Sequence, residues 1–118
     1  MNTQRHIIFY KHYFLDFYLE QSEKVQEKIE YVLKIIRNVQ KIPTKFLEHI
    51  TDTDGLYEIR IEFKNNIYRI FCCFDEGNLV VLFNGFQKKT QKTSQKEIVL
   101  ALKLKNEYFI SKTEEYGK

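Results

Sequence analysis

The chain has 118 residues, 43% hydrophobic and 30% charged, with ten phenylalanines, eight tyrosines and no tryptophan, which describes one soluble globular domain able to bury its own core. Its net charge of +3 is too small to imply nucleic-acid binding by itself, and no apolar run reaches the length of a membrane span. Adjacent Cys72 and Cys73 exclude a disulfide framework, because neighbours in a strand point to opposite faces.

In chain order, Ile7 to Tyr10 reads as a first short strand and Tyr13 to Leu19 as a short helix lying on a sheet. Ser22 is placed to cap the next helix, with Glu23 in its first turn. Val25, Ile29, Val32, Leu33 and Ile36 recur at three- and four-residue spacing, the buried stripe of an amphipathic helix. That helix ends before Ile42-Pro43, and Asp52 to Gly55 forms a turn. In Leu56 to Phe63, Tyr57, Ile59, Ile61 and Phe63 share one face and Glu58, Arg60 and Glu62 the other. Asn65-Asn66 signals a tight hairpin. Ile67 to Phe74 is a second strand, apolar apart from Arg69. After the turn Asp75 to Asn78, Leu79 to Phe86 is a third, and its continuous apolar run indicates a position covered on both faces. Ser94-Gln-Lys-Glu97 matches a capping box, followed by a helix burying Ile98, Ala101, Leu102 and Tyr108. The tail, residues 111–118, is polar and expected to fray. The order is β-α-α-β-β-β-α, one α+β domain over residues 1–118 with helices on a mostly antiparallel sheet of about four strands.

Three features bear on chemistry. Arg69 interrupts an apolar strand, where charge is costly to bury; it either pairs with Glu58 or Glu62 or reaches a cleft and awaits an anion. Arg60 sits between two glutamates, and its plainest role is a solvated cross-strand pair. From Gln87 to Lys105 there are six lysines and one acid. Of these, Lys88, Lys89 and Lys92 precede a helix start, and unpaired N–H groups there attract anions; the alternative is a basic loop that only aids solubility. His6, His12 and His49 have no partner at metal-ligand or nucleophile spacing. No metal or other cofactor is expected. The cysteine usage and the lack of a signal peptide point to a reducing cytoplasm.

The segments Gly55-Leu-Tyr-Glu-Ile-Arg60, Tyr68-Arg-Ile-Phe71, Val81-Leu-Phe-Asn-Gly-Phe86 and Lys88-Lys-Thr-Gln-Lys-Thr93, with Glu97-Ile98 beyond, together resemble the RelE/ParE superfamily of bacterial toxins, close to its HigB-like, phage-derived branch. The resemblance spans roughly residues 5 to 110 and rests on the order and spacing of the motifs. It implies a type II toxin that cleaves mRNA on the ribosome without metal, by attack of a 2′-hydroxyl on its own phosphate. It also implies a cognate antitoxin, often a helix-turn-helix protein. Carried over by position, Arg69 with Lys88 or Lys89 would stabilise transition-state charge. Arg60 would hold RNA phosphate and Lys92 would assist docking. The chain departs from the pattern at Glu58, where some relatives carry lysine, and in lacking a Tyr or His after the basic loop; Tyr116 is the remaining candidate for acid–base work. A ParE-like, non-enzymatic gyrase inhibitor and an inert antitoxin-binding subunit are the alternatives.

Overall fold

The computed structural model describes residues 4–92 and 94–116. Its elements are β1 (His6–Phe9), α1 (Tyr13–Leu19), α2 (Glu23–Asn38), β2 (Leu47–His49), β3 (Tyr57–Phe63), β4 (Asn66–Asp75), β5 (Leu79–Lys88) and α3 (Gln95–Tyr116). The five strands form one sheet in the order β1-β5-β4-β3-β2, antiparallel except for the parallel pair β1 and β5. The sheet therefore has one strand more than the sequence reading allowed. The addition is β2, three residues long, which registers Leu47 against Ile59 and Glu48 against Glu58. A strand of three residues is too short to show alternation.

Helices cover both faces. On one side Phe14 and Phe17 of α1 and the whole α2 stripe (Val25, Ile29, Val32, Leu33, Ile36) pack on Ile59, Ile61, Ile70, Cys72 and Leu82. On the other, Ala101, Leu104 and Tyr108 of α3 pack on Leu56, Phe71, Cys73, Val81 and Phe83. Cys72 and Cys73 thus fall in opposite layers, as strand alternation requires. Strands β4 and β5 are buried on both sides, which accounts for their unbroken apolar runs.

Local chemistry sets the boundaries. Ser22 Oγ accepts the Val25 N–H at 3.3 Å, capping α2. At the other end of α2, Arg5 donates from Nη1 to the carbonyls of Ile36 (2.9 Å) and Val39 (2.7 Å), and from Nη2 to that of Gln40 (2.8 Å); the first satisfies a carbonyl in the last turn of the helix, and the others hold the chain just beyond it. The β3–β4 turn is centred on Lys64 and Asn65, both at positive φ, one residue earlier than the Asn65-Asn66 reading, and Asn66 already pairs with Phe63. Gly85 faces α1, where an added Cβ would stand 2.6 Å from the Phe17 ring.

Two expectations for the last helix change. Leu104, not Leu102, is its buried leucine; Leu102 is exposed. Residues 111–116, expected to fray, are helical. Their anchor is Lys112, whose Nζ donates to Asp75 Oδ2 at 2.7 Å beside the Tyr108 hydroxyl at 2.6 Å. The Tyr116 side chain lies outside the described residues, as do Thr93 and residues 117–118. No helix among the described residues is long and apolar enough to cross a membrane.

Candidate functional site

The β5–α3 connection gathers the lysines. Lys88, Lys89 and Lys92 line one hollow of about 240 Å³ together with Phe86, Gln87, Thr90, Ser94 and Glu97. Lys88 and Lys89 also line a second hollow, with Ile67, Thr90 and Gln91. The start of α3 opens on the first. Glu97 and Ile98 donate their backbone N–H groups to the Ser94 carbonyl. Glu97 does not reach back as a capping box would. Its carboxylate accepts from Asn84 Nδ2 at 2.9 Å, and its carbonyl accepts from the same nitrogen at 3.1 Å. Asn84 is buried, and it fixes the first turn of α3 to β5 directly behind the lysine loop.

The arginines form a separate group. Arg60 and Arg69 stand directly opposite each other on β3 and β4. Both share the α3 side of the sheet with Glu58, which lies two residues before Arg60 on β3. Arg69 Nε is 3.5 Å from Glu58 Oε1, and Arg60 Nε is 3.4 Å from Glu58 Oε2. Arg60 Nη1 also donates to Glu48 Oε2 at 3.0 Å. Arg69 is 3% exposed and Glu58 6%; Arg69 Nη1 donates to the Tyr68 carbonyl at 3.2 Å. Burial pulls the Arg69 pKa below its ordinary value, while Glu58 pushes it back up and Arg60 lowers it further.

Of the two fates open to Arg69, the structure shows the ion pair with Glu58. Arg60 has the cross-strand partner anticipated for a solvated pair, but the partner is Glu48 on β2, a strand not foreseen. Arg60 borders a small recess with Lys28, Lys45, Phe46 and Glu62, away from the lysine hollows. The arginine and lysine groups nonetheless share one surface. Lys88 registers with Ile67, and Phe86 with Arg69, so Lys88 and Arg69 point to the same face on neighbouring strands.

Glu48 and Asn84 were not singled out in the sequence. Asn84 carried a signal: a polar residue ending the apolar run from Val80 to Phe83, as Arg69 interrupts β4. Glu48 carried none, because its role depends on register with β3. His49 is structural, with Nε2 2.9 Å from the Thr53 carbonyl and its ring against Tyr57.

A family model described as Phage derived protein Gp49-like matches residues 16–106. The chain belongs to that family. Among solved structures, a chain of the crystal structure of the RelB-RelE antitoxin-toxin complex from Methanococcus jannaschii is similar at a TM-score of 0.52 and 15% identity. The match covers 70% of this protein and 91% of that chain. The fold is therefore RelE-like, and the superfamily resemblance read from the motifs holds. No curated protein matches the chain.

Proposed function

We propose that this protein is the toxin of a type II toxin–antitoxin pair and cleaves mRNA on the ribosome, with a cognate antitoxin of helix-turn-helix type as its partner. The observation that carries the reading is the convergence of Lys88, Lys89 and Lys92 on one hollow at the start of α3. The RelE-like fold and the shared face of Lys88 with Arg69 support it. A phosphodiester seated in the hollow meets ammonium groups and the positive end of a helix of 22 residues, both favourable to an anion. In the reaction, the RNA 2′-hydroxyl gives its proton to water and bonds to the adjacent phosphorus, the bond from phosphorus to the 5′-oxygen breaks to leave a 2′,3′-cyclic phosphate, and the 5′-oxygen takes a proton from water. Lys88 or Lys89, with Arg69, stabilises the added negative charge on phosphorus; Arg60 and Lys92 hold flanking phosphates. The ribosome supplies substrate alignment.

One observation favours a second reading, an inert subunit that only binds antitoxin: Arg69 is buried against Glu58. Induced expression followed by mapping of transcript ends separates the two. Growth arrest with new 5′ ends at ribosome-bound positions supports the nuclease. Arrest without cleavage points to a ParE-like action on gyrase, and no arrest to the inert subunit. Within the nuclease reading, Lys88→Ala/Lys89→Ala and Arg69→Lys should each lower cleavage. Thermal midpoints measured on the same samples keep loss of folding apart from loss of chemistry.

A further inference from the structure

The charges on β2, β3 and β4 run against the usual rule for sheets. Glu48 lies directly opposite Glu58, and Arg60 directly opposite Arg69; like charges in that position repel. The repulsion is relieved by contacts between the two rows, and Glu58 makes two of the three: to Arg69, to Arg60, and, from Glu48, to Arg60. Yet Glu58 Oε1 and Arg69 Nε, both buried, have no hydrogen-bond partner among the described residues. Charge-assisted N–H to carboxylate bonds run about 2.7–2.9 Å, and the Glu58 contacts at 3.4 and 3.5 Å are longer. Glu58 thus matches its cations in charge but not in bonding geometry. A phosphodiester offers two oxygens to a guanidinium fork and can accept the paired bonds this carboxylate does not make.

We propose that Glu58 is an internal substitute for an RNA phosphate. In the free protein it holds Arg60 and Arg69 side by side; on binding, a phosphodiester takes over the Arg60 guanidinium. Arg60 is the arm that moves. Its side chain is 32% exposed against 4% for Arg69, and its second partner, Glu48, is half exposed at the sheet edge. Two strand spacings, about 10 Å, separate the Arg60 strand from the Lys88 strand on the same face, so one RNA strand can reach both. Glu48 and Glu58 therefore act as positioning residues that set how strongly RNA must compete. This inference rests on the RNA reading above.

The test is a fluorescence-anisotropy titration of a labelled single-stranded RNA over a range of KCl concentrations. It uses wild type, Glu48→Gln, Glu58→Gln and Lys88→Ala/Lys89→Ala. Removing one competing negative charge is expected to tighten binding about three- to tenfold at low salt. It should also steepen the salt dependence by about one further phosphate contact. Glu48 is exposed, so Glu48→Gln carries the test if Glu58→Gln fails to fold. Unchanged affinity and slope in both Glu variants, with binding lost in the lysine variant, would overturn the exchange and leave the RNA reading standing. Absence of RNA binding by wild type would overturn the exchange, while the transcript-end mapping described above would still decide the RNA reading. Tightening toward poly-glutamate but not RNA would assign the arginines to an acidic protein and also end the proposal.

Discussion

Asn84 donates both of its described hydrogen bonds to Glu97, one to the carboxylate and one to the backbone carbonyl, and so ties the centre of the sheet to the first turn of α3. The lysine hollow adjoins that joint, since Glu97 and Ser94 are among the residues that line it. Replacing Asn84 by Ala removes both bonds from a buried position. A loss of about 1–3 kcal/mol of stability is expected, read as a lowered urea midpoint with unchanged slope. Amide exchange at residues 95–98 should accelerate more than exchange in β4. Uniform acceleration along the chain would show that the joint does not specifically hold the helix start.

At Gly85 the ring of Phe17 on α1 lies close against the backbone of β5. A methyl group there would fall 2.6 and 2.8 Å from two ring carbons of Phe17, which is itself buried. Gly85→Ala should cost about 1–3 kcal/mol through overpacking. In a double-mutant cycle with Phe17→Leu, the pair should lose less than the sum of the single losses. Simple additivity would mean that the ring is not the obstacle.

Asp75 links the end of β4 to the second half of α3. Burial alone would raise its pKa, but hydrogen bonds from Lys112 and Tyr108 outweigh this and hold it below the ordinary carboxylate value. The folded-state pKa is depressed, so the contribution to stability is fully present above the unfolded value of about 3.9. It is lost as pH falls through the lower folded value. Asp75→Asn should therefore be less stable than wild type by about 1–2 kcal/mol at neutral pH. The gap should narrow as pH drops below about 4. A gap that stays constant to the lowest measurable pH would contradict the ionised role.

Both cysteine thiols are buried; desolvation pushes Cys73 up to about 11 and Cys72 further still. Neither forms appreciable thiolate near neutrality, and the thiolate is the reactive species. Labelling by a disulfide reagent at pH 8 should proceed only as fast as the protein opens, rising with added denaturant. Rapid labelling of the native protein would place one of the two thiols at the surface.

Much of the scaffold was legible in the residues themselves. The α2 stripe, the Ser22 cap and the alternation in β3 are local patterns, and each appears where it was read. The misses depend on information that is not local. β2 exists because Leu47 and Glu48 find β3, and the hairpin turn sits at Lys64 and Asn65 because register fixes which residues close it. Leu104 is buried in place of Leu102 because the angular position of α3 on the sheet, not its composition, selects the inward face. For the candidate site, the cationic residues were visible, but their grouping was not. The lysines before the α3 start were a local pattern, but that Arg60 turns to Glu48 follows from β2 registering with β3.

The parallel pairing of β1 with β5 joins His6 to Leu79, about seventy residues along the chain and so a slow contact to close. During synthesis from the N-terminus, the first strand emerges long before its sheet neighbour β5 exists. Until β5 is made, α1 also lacks the glycine notch that seats Phe17. The sheet, and the seat of α1 upon it, can therefore close only after β5 has been made.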